Sequence, residues 1–296
     1  MRLRTFLTVA AVCVAAVWAS GSDRMYCYQK VTTPGATGGG AVRAHGFVVE
    51  VRPTTESPDD PDFQTCIATI RSPQGALVSE IKEWGIEIDP ITGRDVNGDG
   101  QPDAVLMSYS GGAHCCWTYH IISLGKQPGV IREFTNRAPA SFEDLERNGR
   151  IEILVEDGEF DGAFGLAHAF SVFPLAILRM KGTEFEDVGP NFWPVFEKKI
   201  QERRSKLEPK SVQELLQSDP YEIHDDVDYL STKSTVLLLV LDYLSAGREH
   251  DARNIMGELW PANYRERTWK EILDQFCTGF RSELGITAKV CQESIR

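Results

Sequence analysis

The chain has 296 residues, 42% hydrophobic and 25% charged, with 31 Lys and Arg against 43 Asp and Glu and a formal net charge of −12. That balance argues against nucleic acid and anionic membrane surfaces as partners and suits a protein that holds cations. The length allows a sizeable core and two domains.

At the start, Arg2 and Arg4 precede an apolar stretch from Phe6 to Ala19, followed by the small residues Ser20 and Gly21. This is the layout of a signal peptide over residues 1–19, which implies a periplasmic or extracellular protein. The stretch falls short of the roughly 20 residues that span a bilayer, so no membrane span is expected after cleavage; an uncleaved N-terminal anchor is the alternative. Residues 20–44 read as a flexible tether, because Thr33 to Ala41 combines Pro34 with four glycines.

From about residue 45 to 190 the patterning is that of a β domain. Alternation in Phe47 to Val51, Cys66 to Ile70 and Trp84 to Ile88 predicts strands, with turns at Pro53 to Pro61, Ser72 to Gly75 and Asp89-Pro90. The segment Asp95-Val96-Asn97-Gly98-Asp99-Gly100-Gln101-Pro102-Asp103 follows. Its positions one, three, five and nine (Asp95, Asn97, Asp99, Asp103) carry oxygen side chains, and Gln101 offers a backbone carbonyl at position seven. Ca²⁺ accepts roughly 6–8 such oxygens, whereas zinc sites are built from Cys and His. The expected cofactor is therefore Ca²⁺. Position twelve, where an EF-hand has a bidentate Glu, is Leu106 in an apolar strand, so this is no EF-hand. An Asp/Asn/Gly turn that binds nothing is the competing reading.

Next comes Gly111-Gly112-Ala113-His114-Cys115-Cys116, with His120 beyond it. Two thiols and two imidazoles suffice for a zinc or copper site, but neighbours on a strand point to opposite faces, which works against both sulfurs reaching one metal. A structural disulfide, a reactive thiol and packed cysteines also fit. A second copy of the oxygen-rich loop then appears about 50 residues after the first, a spacing typical of β-repeat units. Asp144, Glu146, Asn148 and Glu152 align with Asp95, Asn97, Asp99 and Asp103, and Ile151 to Val155 forms the following apolar segment. Its altered side chains predict a weaker metal site or a structural turn.

These two loops, each running into a β-branched strand, resemble the FG-GAP or VCBS-type calcium-loop repeats of secreted and surface β proteins. The chain is also similar to uncharacterised exported bacterial proteins that combine such a repeat with a Gly-Gly-Ala-His-Cys-Cys segment. The likeness covers roughly residues 80 to 190. It implies a partial propeller or sandwich and places calcium on Asp95, Asn97, Asp99, Gln101 and Asp103.

Beyond Pro194 the period becomes helical. A small helical domain is expected over 195–296, with capping boxes at Ser211 to Glu214 and Thr268 to Glu271 and one apolar face through Trp269, Ile272, Leu273, Phe276, Phe280 and Leu284. Val236 to Leu241 reads as buried core helix. The fold class expected is thus α+β. Setting aside Cys13 in the leader, an even number of cysteines remains; Cys27 with Cys66 and Cys277 with Cys291 are the expected pairs, since each closes a loop within one region.

No P-loop, dinucleotide fingerprint, Gly-x-Ser-x-Gly elbow or His-Glu-x-x-His motif occurs. The leading expectation is a non-catalytic, calcium-stabilised binding or envelope-associated module for a protein or glycan ligand. The alternative is a metal-assisted hydrolase or thiol oxidoreductase centred on the His-Cys-Cys segment.

Overall fold

Ala104, Val105 and Leu106 are consecutive and all fully buried, which a strand permits only when both faces of its sheet are covered, because successive side chains point to opposite sides. The computed structural model, which describes residues 25–28, 39–54, 65–112 and 115–293, shows what covers them. Three antiparallel sheets follow one another. The second, central sheet orders β1 (Met25–Tyr28), β6 (Gly85–Ile88), β7 (Asp103–Tyr109), β8 (Trp117–Ser123) and β9 (Gly129–Asn136) side by side. The first joins β2 (Gly40–Ala44), β3 (Phe47–Thr54), β4 (Thr65–Arg71) and β5 (Leu77–Glu83), and the third β10 (Ala140–Glu143), β11 (Glu152–Glu156), β12 (Leu175–Lys181) and β13 (Glu184–Asp187).

Strand alternation sorts side chains between successive cores. Ala104, Leu106 and Ile122 of the central sheet pack with Val49, Val51 and Ile70 of the first. Val105, Tyr119, Ile121 and Phe134 point the other way, against Ile153, Val155, Ala176 and Leu178 of the third. Ile177 and Leu175, on the far face of the third sheet, join Val236, Leu237 and Val240 of the helices. The layers therefore run first sheet, central sheet, third sheet, helices. Among the described residues the sheets close into neither a propeller nor a barrel.

The helices are α1 (Trp193–Arg204), α2 (Pro209–Gln217), α3 (Val227–Ser245), α4 (Glu249–Leu259), α5 (Arg265–Thr278), α6 (Phe280–Glu283) and α7 (Lys289–Glu293), so the protein is α+β with its helices toward the C-terminus. Val236 to Leu241 lies in the middle of α3, and among the described residues no helix is long and apolar enough to cross a membrane. The expected apolar stripe divides: Trp269, Ile272 and Phe276 enter the helical core, whereas Phe280 and Leu284 reach the core between central and third sheets.

Three expectations need correction. The stretch 20–44 is not a tether throughout, since β1 and β2 occupy parts of it; residues 29–38 and 1–24, the latter including the expected signal peptide, lie outside the described residues. Cys27 accounts for the first part, because its disulfide to Cys66 fastens β1 of the central sheet to β4 of the first. Neither capping box forms, because α2 already begins at Pro209 and α5 at Arg265. Proline suits the first helical turn, where its missing N–H costs nothing. Thr268 instead sits inside α5, its hydroxyl accepting from Trp260 Nε1 at 2.9 Å. Strand β5 was not foreseen; its partly exposed Leu77 to Glu83 alternates too weakly.

Both expected disulfides are present. Cys27–Cys66 closes a sequence separation of 39 and Cys277–Cys291 one of 14. In the chain-entropy picture such closures stabilise by about 4 and about 3 kcal/mol respectively.

Candidate metal centre

The first oxygen-rich loop connects β6 to β7 and is pinned at both ends. Asp103 N donates to Arg94 O (2.8 Å) and Gly93 N to Asp103 O (2.7 Å). Inside, carboxylates organise the backbone. Asp95 Oδ1 accepts from Gly98 N (2.7 Å) and Asp99 N (3.2 Å), Asp95 Oδ2 from Gly100 N (2.8 Å), and Asp99 Oδ1 from Gln101 N (2.7 Å). Gly98 and Gly100 have φ of 76° and 80°, left-handed values that glycine adopts without penalty. Asp103 is fully buried at 0% exposure. Its Oδ2 accepts from Val96 N (2.8 Å) and Asn97 N (3.3 Å), whereas its Oδ1 is buried with no hydrogen-bond partner.

An unpaired buried carboxylate oxygen is expensive unless the group is protonated or a cation meets it. Burial, opposed by the two backbone donors and reinforced by the charges of Asp99 and Asp95, pushes the Asp103 carboxyl up to about 7. The donor set is all oxygen, as a hard cation requires. Among the described residues no three His, Cys, Asp or Glu side chains are grouped closely enough to hold a metal ion as they stand. Asp95, Asn97, Asp99, Asp103 and the Gln101 carbonyl are the groups that would hold it.

The second loop connects β10 to β11 and repeats four of the side-chain-to-backbone bonds of the first. Asp144 Oδ1 accepts from Asn148 N (2.9 Å) and Oδ2 from Gly149 N (3.0 Å), Asn148 Oδ1 from Arg150 N (2.9 Å), and Glu152 Oε2 from Leu145 N (3.0 Å). Gly149 (φ 89°) matches Gly100, and Arg147 (φ 54°) occupies the left-handed position of Gly98. The difference lies in the charge at the centre. Glu152, also at 0% exposure, receives the Arg179 guanidinium on Oε1, with Nε at 2.9 Å and Nη2 in closer contact. Arg179 also reaches Glu146 at 3.4 Å. Arg94 pairs with Asp144 at 2.9 Å and holds its carboxyl below the usual carboxylate range. The oxygen left bare on Asp103 is thus covered on Glu152 by the protein's own cation.

Arg147 in the left-handed region bears a steric cost that glycine avoids, of about 1–2 kcal/mol. Part of the gain is offset by the freer unfolded chain. Arg147→Gly is expected to stabilise the protein by up to about 1 kcal/mol in chemical denaturation; a destabilised variant would contradict this.

The alternative site is described only in part. Cys115 and Cys116 are paired with each other, His114 lies outside the described residues, and both ring nitrogens of His120 are occupied. His120 Nε2 lies 3.0 Å from Ser108 Oγ, and Nδ1 lies 2.7 Å from Glu133 Oε1. This hydroxyl–imidazole–carboxylate series has the connectivity of a nucleophile, base and orienting acid. Ser108, however, is only 3% exposed on the face packed against the first sheet, so no acyl group reaches it without parting two layers. The three residues cross-link β7, β8 and β9. The trio becomes visible only once the strand register is known, because His120 lies opposite Glu133 and beside Ser108 across strands that are separate in sequence.

No family model, no curated protein and no solved structure matches this chain.

Proposed function

We propose that the chain is an exported, calcium-stabilised binding module in which the first loop holds one Ca²⁺ and the second is neutralised internally by Arg179. The bare, buried Oδ1 of Asp103 carries this reading. The corresponding loop in the same chain supplies an arginine at the equivalent oxygen, which is the charge compensation a cation would give the first. Its ligands would be Asp95, Asn97, Asp99, Gln101 through its carbonyl, and Asp103. When bound, Ca²⁺ supplies charge compensation and cross-links the loop; the chain's own residues orient the loop through their backbone hydrogen bonds. Export is supported by the leader-like start and by the Cys27–Cys66 and Cys277–Cys291 disulfides, which belong to oxidising compartments. The FG-GAP or VCBS reading draws support from the loops' common place, between the first two strands of two successive four-strand meanders, β6 to β9 and β10 to β13.

Calcium bound only by the folded state adds RT ln(1 + [Ca²⁺]/Kd), about 2.7 kcal/mol at 100 times Kd. Equilibrium dialysis should return one Ca²⁺ per wild-type chain and none for Asp103→Ala, and Asp99→Ala and Asp103→Ala should lower the Tm more in calcium than in chelator, where only the backbone bonds to these carboxylates are lost. Two ions in the wild type would show that Arg179 does not close the second loop. No ion at all would sink the reading.

A further inference from the structure

We propose that the cleft between the two loops takes an oxyanion, a carboxylate or phosphate group of a small ligand, which links the loop cation to Arg150 and Lys181. The inference rests on the calcium reading above. A cleft of about 360 Å³ opens beside the first loop, lined by Asp95 and Asn97 of that loop, Arg150 of the second loop, and Arg179 and Lys181 of β12. Arg179 is spent on Glu152 and Glu146. Arg150 and Lys181 are exposed, and neither forms an ion pair among the described residues. Glu186 is the remaining charged group lining the cleft.

The acidic loop is not the sole pointer, because fully buried Asp103, held through Oδ2 by the backbone of Val96 and Asn97 that line the cleft, has an unpartnered Oδ1 that calls for a cation. The loop offers four side chains and one carbonyl toward the roughly 6–8 oxygens that Ca²⁺ accepts, which leaves coordination positions for a ligand. The two free bases sit where an oxyanion bound to that ion would place its remaining charge, and guanidinium binds carboxylate and phosphate through paired donors. No aromatic ring lines the cleft, so it recognises charge and not the face of a neutral sugar.

The test titrates the full mature chain with galacturonate trimer and with glycerol phosphate, in calcium and in chelator, after calcium stoichiometry has been measured by dialysis. Binding of at least one probe is expected to tighten about tenfold or more in calcium. It should weaken by a similar factor in Arg150→Ala/Lys181→Ala, whose exposed positions leave folding and calcium uptake unchanged. Preference for the trimer or for the phosphate assigns the source of the oxyanion. Calcium uptake with binding of neither probe, or with equal binding by the double variant or in chelator, overturns this inference and leaves the calcium reading standing. Absence of calcium uptake overturns both.

Discussion

In chelator, the wild-type protein is expected to lose stability relative to Asp103→Asn as the pH rises from about 4 to about 8, and in saturating calcium this loss should vanish. Burial pushes the folded-state carboxyl of Asp103 up to about 7, against about 4 for an unfolded aspartate. The folded chain therefore binds the proton more tightly than the unfolded one. That contribution is fully present below the unfolded pKa and is lost as pH rises through the folded value. At about 1.36 kcal/mol per pKa unit, a difference of about three units is on the order of 4 kcal/mol by pH 8. An amide at position 103 keeps an acceptor for Val96 N and Asn97 N but carries no charge. Asp103→Asn should accordingly be the more stable protein in chelator at pH 8 and the less stable one in calcium, where it can no longer complete the loop. Because other acids titrate in both proteins, the difference between their denaturation curves isolates this group. A difference that stays flat across the range in chelator would show that Asp103 does not carry an uncompensated charge.

The first loop was legible because its oxygen donors are close in sequence and their spacing survives folding unchanged. Its strands were legible for a related reason: Ala104 to Leu106 and Ile151 to Val155 are apolar at successive positions, which signals burial on both faces. What decides the chemistry of the second loop was not legible. Arg179 belongs to β12 and meets Glu152 only because β11 and β12 pair in the register that sets Glu152 opposite Arg179. Likewise β1 is stabilised by pairing with Gly85 to Ile88, far along the chain, and its own sequence says little of it. At Ser211 and Thr268 the local capping signals were real patterns that lost to helices starting earlier. The His-Cys-Cys segment illustrates the same limit, since its sequence does not show that His120 meets Ser108 and Glu133 across neighbouring strands.

Replacing Arg281 is expected to have the largest effect on stability of any single change. This side chain is 1% exposed and lies at the junction of the third sheet and the helices. Its Nε donates to Asp187 Oδ2 (2.9 Å), Nη1 to Asp157 Oδ2 (3.1 Å) and Nη2 to Ser245 Oγ (3.2 Å), and its plane lies over Phe276, 3.9 Å from the ring centre. Arg281→Met keeps much of the volume and leaves Asp157 and Asp187 without their cation. Stranding a buried charge in this way costs about 3–5 kcal/mol, which in a chain of this size corresponds to a Tm lower by roughly 10 °C. The pH dependence gives a second handle. Burial already raises the Asp157 carboxyl against the opposing pull of Arg281, and removing that pull raises it further. A raised carboxyl stabilises the fold at low pH and loses that contribution as pH rises, so the cost of Arg281→Met should be smaller near pH 4 than at pH 8. Neutralising both acids in the background of the variant (Asp157→Asn, Asp187→Asn) should recover much of the loss, since a whole charged cluster is replaced more cheaply than half of one. A single-variant loss below about 1 kcal/mol, or no recovery in the triple variant, would mean that apolar packing alone holds the helices to the sheet. In that case the shared core of Ile177, Val236 and Phe276 would already be sufficient.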